Sequence, residues 1–289
     1  MQQNPKATTG SNAVKSVTIT GGNAGIGFAT AKLFLAKGYK VTIVGRSKER
    51  LEVAQKELGE VGIGICDISS LPSIDTFVKN TDPIDILVNN AGISLTEYKK
   101  SDMNQELTFQ TNHLGTMYLT LRMLENKKLN ENGVIIVLSS KLHLKAIKDV
   151  NYFDNLAEAN FKGLPEYNQT KLFNLLFTRY LVTKYLPLKF PDLHYKVATV
   201  HPGYIPTEIT RDMTKTTKFF YKHVLRWVGV STTVEDAAGR ILKCVTDPGS
   251  NGKYIGNKGY EEPSSFAKDD ADALALWNKS MDILKLNKD

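Results

Sequence analysis

The chain has few of the features that mark secreted, metal-binding or membrane-spanning proteins. Its 289 residues include only two cysteines, Cys66 and Cys244, and each lies in an apolar run. This usage argues against a disulfide framework and predicts buried, reduced thiols. Two distant cysteines and five scattered histidines predict no metal site. No apolar stretch approaches the roughly 18 residues needed to span a bilayer, so we predict a cytoplasmic protein.

The N-terminus also lacks an apolar core of the kind found in signal peptides. Residues 1–13 are polar and predict a disordered tail, whereas 14–289 show no repeat, low-complexity tract or linker and predict a single domain. The net charge of +7 favours an anionic partner, of which a phosphorylated cofactor is the simplest. An ordinary lysine-rich surface is the alternative. No basic run is long enough to predict binding to nucleic acid.

Short β-branched runs alternate with longer helical patterns along the first half of the chain. Strands are predicted over 16–20, 40–44, 61–65, 84–88 and 134–138, and helices over 25–37, 48–58, 71–78 and 105–124. This alternation predicts an α/β protein with a Rossmann-type, doubly wound parallel sheet and helices on both faces.

The second half of the chain is less regular. It predicts helices over 165–184, 232–245 and 267–284, and strands over 195–200 and 253–255. The polar segment 141–165 is too long for an ordinary connection, so we expect it to be functional or to contain helical turns of its own.

A glycine-rich sequence, TGGNAGIG at 20–27, separates the first predicted strand from the first helix. A pyrophosphate needs a tight turn, a close backbone approach and free N–H groups at a helix N-terminus, all of which such a loop supplies. The spacing is G-x-x-x-G-x-G rather than G-x-G-x-x-G, and glycines also occur in ordinary turns. The position inside a β-α-β pattern favours dinucleotide binding. The contacts assigned to this loop are Gly21, Asn23, Ala24, Gly25, Ile26 and Gly27.

Residues that follow the next three strands would complete the cofactor site. Arg46 stands where an acid would select NAD(H), and its guanidinium can pair with a 2′-phosphate, so NADP(H) is favoured; a solvent-facing residue is the alternative. Asp67 would accept a hydrogen bond from the adenine amine, or cap the next helix in competition with Ser69 and Ser70. In the sequence NNAG, small residues let the backbone approach the ribose, and an asparagine amide would tie adjacent strands. The further contacts assigned here are Ile68, Asn90, Ala91 and Gly92.

Tyr167 and Lys171 form the candidate proton-transfer pair. They stand at i and i+4 on a predicted helix and therefore share one face. A free tyrosine titrates near pH 10, and a neighbouring ammonium would favour its phenolate. The lysine would also reach the ribose hydroxyls. A half-buried tyrosine beside a surface lysine is the alternative, since chance supplies such pairs in a chain with twelve tyrosines. Tyr152 cannot form an equivalent pair, because Leu156 stands four residues further on.

Two further polar positions accompany this pair. Ser139 and Ser140 end the fifth predicted strand, where a hydroxyl can bond to a substrate oxygen. Asn112, on the long helix before that strand, would hold a water molecule in a relay to Lys171.

These motifs together resemble the short-chain dehydrogenase/reductase family. TGGNAGIG, NNAG, the Asn112 helix, Ser-Ser, YNQTK and HPGYIPT occur in the family's order, from about residue 16 to 282. The resemblance implies a catalytic tetrad of Asn112, Ser140, Tyr167 and Lys171. Ser140 is preferred to Ser139 because the second serine of such a pair is the usual member. The resemblance also implies that Ile205 and Thr207 contact the nicotinamide carboxamide.

One departure indicates a branch of the family. Ser140 and Tyr167 are about twice as far apart in the chain as in the commonest members. The longer segment resembles the retinol dehydrogenase and WW-domain oxidoreductase branch, as does the sequence Glu-Pro-Ser at 262–264 before the last helix. That branch implies an NADP(H)-dependent oxidoreductase that interconverts a lipophilic aldehyde or ketone and its alcohol, with Tyr167 as general acid/base. The alternative is a catalytically silent dinucleotide-binding regulatory or scaffold protein.

The substrate side of the site would be covered by residues 205–230. Aromatic and lysine residues within 214–230 are compatible with a lid, with a helix packed on the core, or with shallow docking on a membrane or lipid surface. The expected partner is a small-molecule carbonyl or alcohol, and the family resemblance implies that a homodimer is a further option.

Overall fold

The computed structural model describes residues 14–203, 205 and 232–286. The described strands are β1 (Ser16–Thr20), β2 (Lys40–Gly45), β3 (Gly62–Ile65), β4 (Ile84–Asn89), β5 (Leu129–Leu138), β6 (Lys196–Val200), β7 (Tyr254–Gly256) and β8 (Gly259–Glu261). They form one eight-stranded sheet in the order β3-β2-β1-β4-β5-β6-β7-β8. Every neighbouring pair is parallel except β7 and β8. The strand order reverses between β1 and β4, as a doubly wound sheet requires.

The helices connect the strands and cover both faces of the sheet. They are α1 (Gly25–Ala36), α2 (Lys48–Leu58), α3 (Leu71–Asn80), α4 (Leu107–Phe109, continued by a π-helical turn Gln110–Leu114 and by Gly115–Glu125), α5 (Leu164–Tyr180, continued by a π-helical turn Leu181–Tyr185 and by Leu186–Lys189), α6 (Val234–Thr246) and α7 (Asp270–Leu284).

Two hydrophobic clusters explain why this arrangement is stable. On one face, side chains of α1, α2 and α6, such as Phe34, Leu51 and Ile241, pack against the sheet. On the other face, α3, α4, α5 and α7 pack in the same way and include Phe173 and Trp277. Because alternate residues of β4 and β5 enter different clusters, these strands are buried on both sides.

The α/β fold class and the doubly wound parallel sheet predicted from the sequence are confirmed, with three local differences. Strand β5 begins at Leu129 rather than at 134, because its pairing with β4 shifts register between Ile84 and Ile86. Strand β8 was not predicted: its three residues carry no apolar run, and it pairs only with β7 at the sheet edge. The long helix predicted over 105–124 contains the π-helical turn, which the spacing of apolar residues in the sequence did not predict.

Candidate active site

The glycine loop lies between β1 and α1, at the carboxyl edge of the sheet. Gly21 and Gly25 have φ angles of +65° and +54°, a backbone conformation that suits glycine. A methyl group at Gly27 would lie 2.3 Å from the carbonyl oxygen of Gly21. The first turn of α1 therefore sits directly against the loop, and only glycine permits this approach.

The N-terminus of α1 differs from those of α2, α3 and α6. Ala24 at its N-cap makes no side-chain hydrogen bond to the first turn, which contains no acidic residue. In contrast, Ser47, Ser70 and Thr233 cap α2, α3 and α6 with their hydroxyl groups. Uncapped N–H groups behind a glycine turn fit the pyrophosphate of a dinucleotide.

The side chains of Thr20 and Asn90 join the glycine loop to the end of β4. The Thr20 hydroxyl accepts hydrogen bonds from the N–H groups of Asn90 (3.0 Å) and Ala91 (2.9 Å). The Asn90 amide donates to the carbonyl oxygens of Thr20 (2.8 Å) and Gly21 (3.4 Å). The predicted tie between strands thus forms through Asn90. The role of Thr20 was missed, although it begins the glycine motif.

The residues after β2 and β3 are placed differently from one another. Arg46 is exposed, and within the described residues its guanidinium has no hydrogen bond or ion pair. The Asn23 side chain lies close to the neighbouring Gly45, so the glycine loop and the end of β2 are adjacent. Asp67 does not cap α3, because Ser70 does so. The Asp67 Oδ1 instead accepts hydrogen bonds from the N–H and hydroxyl of Ser69, at 2.9 and 2.6 Å.

Ile68, which was assigned to the cofactor site, is buried in the core. Its side chain is 6% exposed, and its carbonyl oxygen lies against Gly115 of α4. An apolar side chain that is already covered has little surface to offer a ligand. Packing therefore accounts for the side chain of Ile68, and its contact with a cofactor stays a prediction.

Tyr167 lies on the second turn of α5 and is 5% exposed. Burial raises the pKa of its phenol, and a hydrogen bond with Ser140 lowers it in part. The ammonium of Lys171 lies 5.4 Å from the centre of the Tyr167 ring. The expectation that Lys171 pulls the tyrosine towards phenolate is not met here, because desolvation is the largest influence on its pKa.

Lys171 is also buried, at 4% exposed, which contradicts the alternative of a surface lysine. Burial lowers the pKa of its ammonium to about 8. The ammonium donates a hydrogen bond to the carbonyl oxygen of Leu138 at 3.2 Å. Lys171 is thus held at the end of β5, beside Tyr167, and is desolvated there without an acidic partner among the described residues.

Asn112 approaches Lys171 from the π-helical turn of α4. Its Oδ1 accepts a hydrogen bond from the N–H of Ile93 (2.7 Å), and its Nδ2 donates to the Ile93 carbonyl oxygen (2.8 Å). A methyl group at Gly92 would stand 3.2 Å from Asn112 Oδ1 and 3.5 Å from Lys171 Nζ. Glycine at this position keeps both polar atoms open to the same small space, and a π-helical turn is a common feature of functional sites.

The two serines after β5 have separate contacts. The Ser139 hydroxyl is buried and donates to the carbonyl oxygen of Lys171 at 2.7 Å. Ser140 is the one that contacts Tyr167. Tyr152, which the sequence excluded as the catalytic tyrosine, donates a hydrogen bond from its hydroxyl to the buried carboxylate of Glu166 at 2.9 Å.

Residues 205–230, which were predicted to cover the substrate, are described only at Ile205. Ile205 packs against the hydrophobic cluster under α1 and α6, whereas Thr207 and the segment 214–230 lie outside the described residues. In the described ranges, no helix is both long and apolar enough to cross a membrane. Both cysteines are free and buried, as the composition predicted.

The short chain dehydrogenase family profile matches residues 15–218. This range includes most of the sheet, the glycine loop and the four candidate catalytic residues. The chain belongs to the short-chain dehydrogenase/reductase family. This family uses nicotinamide dinucleotide cofactors, and the glycine loop fits that class of ligand. The members of this family are oxidoreductases. In this chain, the carboxyl edge of the parallel sheet carries the four candidate catalytic residues, Asn112, Ser140, Tyr167 and Lys171.

Several relatives belong to the retinol dehydrogenase branch. Human retinol dehydrogenase 14 is 30% identical, over 95% of this chain and 87% of the relative. The Drosophila melanogaster WW domain-containing oxidoreductase is 29% identical, over 93% of this chain and 68% of its own length. Among solved structures, an uncharacterised protein from Mycobacterium paratuberculosis has a TM-score of 0.76 and 26% identity, with 94% of both chains covered. The chain is a short-chain dehydrogenase/reductase of the retinol dehydrogenase branch.

Proposed function

We propose that this protein is an NADP(H)-dependent oxidoreductase that interconverts a lipophilic aldehyde or ketone and the corresponding alcohol. One observation carries the proposal: Tyr167, Lys171, Ser140 and Asn112 converge at one edge of the sheet, beside the dinucleotide loop. They come from three separate elements, so sequence proximity cannot account for their meeting. We also propose that residues 14–289 act as one catalytic unit.

The proposed chemistry divides among these side chains. The glycine loop would hold NADPH, which would supply the hydride for the carbonyl carbon of the substrate. The Ser140 hydroxyl holds the substrate oxygen, and the Tyr167 phenol donates a proton to that oxygen as negative charge develops on it. Lys171 holds the ribose and supplies positive charge near the phenol. Asn112, open to the same space as Lys171, supports resupply of the proton.

The protonation state of Tyr167 suits proton donation to a carbonyl substrate. A free phenol, with a pKa near 10, is already protonated at neutral pH, and burial raises the pKa of Tyr167 further. Alcohol oxidation would instead need the phenolate as a base, which burial disfavours. An alkaline medium should therefore benefit oxidation more than reduction.

Arg46 supports the preference for the phosphorylated cofactor. Its guanidinium is exposed at the end of β2, next to the loop that holds Asn23, and within the described residues no carboxylate pairs with it. Lys48, two residues further along the chain, is already paired with Glu52 at 3.7 Å. A 2′-phosphate would find in Arg46 a planar, permanently charged donor.

Exposed apolar side chains in the segment between Ser140 and Tyr167 support a lipophilic substrate. Leu144, Ile147 and Leu164 are 52%, 55% and 43% exposed, and all lie in or next to the long segment that joins Ser140 to Tyr167. Exposed large apolar residues grouped along one functional segment are typical of a surface that binds an apolar ligand.

Tyr167→Phe tests the assignment most directly. Removal of the proton donor should lower kcat for carbonyl reduction by roughly 10²–10⁴-fold and leave NADPH binding intact. Turnover is followed as NADPH oxidation against a panel of aldehydes and ketones, with NADH in parallel. Tyr180→Phe, on the same helix, is the matched control and should behave as wild type. Equal turnover by Tyr167→Phe and wild type would refute the assignment.

The same assay separates the enzyme from a silent dinucleotide-binding scaffold. A scaffold would bind NADPH, as measured by quenching of its intrinsic fluorescence, but would oxidise none of it with any carbonyl.

A further inference from the structure

His143 is a buried histidine beside the candidate active site that neither the motifs nor the family resemblance singled out. It lies in a 3₁₀ turn (Lys141–Lys145) that begins directly after Ser140, and its side chain is 2% exposed. Its Nδ1 is 2.7 Å from the carbonyl oxygen of Ser140. Its Nε2 is 3.1 Å from the backbone N–H of Ser264, more than a hundred residues further along the chain.

These two partners define the chemical form of the ring. A carbonyl oxygen can only accept, so Nδ1 must carry the hydrogen; a backbone N–H can only donate, so Nε2 must carry the lone pair. His143 is therefore the neutral tautomer with hydrogen on Nδ1. Burial lowers the pKa of the imidazole, which is consistent with this neutral form. Tyr254 of β7 packs edge-on against the ring, with centroids 5.3 Å apart.

Ser140 is held mainly by this turn. Its hydroxyl oxygen accepts the N–H of Leu142 at 3.2 Å, and its carbonyl oxygen accepts both the backbone N–H of His143 (3.1 Å) and the imidazole. The first two bonds are local. Of these three bonds, only the one from the imidazole leads on to a distant part of the chain, the segment that follows β8.

We propose that His143 is a positioning residue: it holds Ser140 in the orientation that meets Tyr167, and it makes that orientation depend on docking of residues 259–268. This inference rests on the proposed function, in which the Ser140 hydroxyl binds the substrate oxygen. The imidazole does not touch substrate or cofactor. It acts through the Ser140 carbonyl, and the C-terminal segment acts through the imidazole.

Three substitutions separate the two hydrogen bonds. In His143→Asn, the amide nitrogen lies as many bonds from the backbone as Nδ1 does, so the bond to Ser140 is kept and the bond to Ser264 is lost. In His143→Gln, the amide oxygen corresponds to Nε2, so the bond to Ser264 is kept and the bond to Ser140 is lost. His143→Phe removes both bonds and keeps a ring against Tyr254.

Turnover and backbone protection should respond separately. We expect kcat to fall about tenfold in His143→Gln and His143→Phe and less in His143→Asn, with KM for NADPH unchanged in all three. Hydrogen–deuterium exchange of peptides covering 260–266 should accelerate in His143→Asn and His143→Phe, but not in His143→Gln. This exchange readout does not depend on catalysis.

Ser280→Ala is the matched control. The Ser280 hydroxyl lies 2.9 Å from Nε2 of His113, so it too joins the C-terminal part of the chain to a buried histidine, but it does not contact Ser140. It should lower the melting temperature and keep the wild-type kcat. Equal kcat losses in His143→Asn and His143→Gln that follow their melting temperatures would overturn the proposal, as would wild-type kcat in His143→Phe. If wild-type protein itself turns over no carbonyl, the proposed function fails, a result visible without any variant.

Discussion

At residues 20–27 the candidate site is shaped by main chain, whereas around residues 139–171 it is shaped by buried polar side chains. The glycine loop leaves room: a methyl group at Gly27 would meet the Gly21 carbonyl oxygen, and α1 carries no side-chain cap. In the second region, buried polar side chains bond to main-chain carbonyl oxygens: Lys171 donates to that of Leu138, and Ser139 to that of Lys171. The first region is therefore sensitive to added atoms and the second to removed or neutralised ones.

Lys171→Met tests the second region and should have the largest effect on stability. The pKa of Lys171 is about 8 in the folded chain against 10.5 for a free lysine, so between these values the unfolded chain binds more protons. Raising the pH through this window should therefore stabilise wild type, on the order of 3 kcal/mol, and Lys171→Met should lack the effect.

The measurement is the free energy of unfolding by urea from pH 7 to 10.5, without dinucleotide. The quantity compared is the difference between wild type and Lys171→Met, in which other titrating groups cancel. Lys32→Met removes a charge from an exposed position of α1 and serves as control. A difference that does not change with pH would show that Lys171 is not desolvated in solution.

Gly27→Ala tests the first region by adding one carbon. Because its methyl group would lie 2.3 Å from a backbone oxygen, the loop or the first turn of α1 must move. Overpacking of this kind costs about 1–3 kcal/mol of conformational free energy. If the loop must return to its present shape to bind NADPH, the dissociation constant should rise roughly tenfold to a hundredfold. Gly239→Ala in α6 is the control: nothing lies within 4 Å of the added methyl group. Unchanged NADPH affinity in Gly27→Ala would contradict this account of the loop.

Arg46→Ala should have the smallest effect of the three substitutions. It tests whether the end of β2 binds the 2′-phosphate of the cofactor. Loss of one charged donor to the 2′-phosphate should raise KM for NADPH about tenfold and leave KM for NADH unchanged. Lys56→Ala, at the far end of α2, controls for the lost surface charge. If KM rises equally for NADPH and NADH, Arg46 does not bind the 2′-phosphate.

Much of the first region could be predicted from the sequence because its determinants are local. Strand, glycine turn and helix follow one another within about twenty residues, and the bounds of β1, α1, β2 and α2 agree with the predicted ones to within one residue. Arg46 and Asp67 could be placed at strand ends for the same reason. The competition to cap α3 could not be decided, because Asp67, Ser69 and Ser70 are chemically similar, and backbone geometry selects Ser70.

In the second region the sequence indicated which residue types would act but not how they are held. It favoured Ser140 over Ser139 only by resemblance, whereas the structure shows that the Ser139 hydroxyl is bound to the Lys171 carbonyl oxygen. It contained no sign of the π-helical turn that carries Asn112, nor of the contact between His143 and Ser264. Both depend on elements far apart in the chain.

The sequence by itself determined the α/β fold class, the family and the place of the glycine loop, because hydrophobic periodicity and short motifs report on neighbours in the chain. Only the tertiary structure decided in which direction the pKa values of the proposed catalytic pair are shifted. The pKa values of Tyr167 and Lys171 depend on desolvation, and desolvation is set by every element that packs around them. No spacing of residues along a helix contains that information.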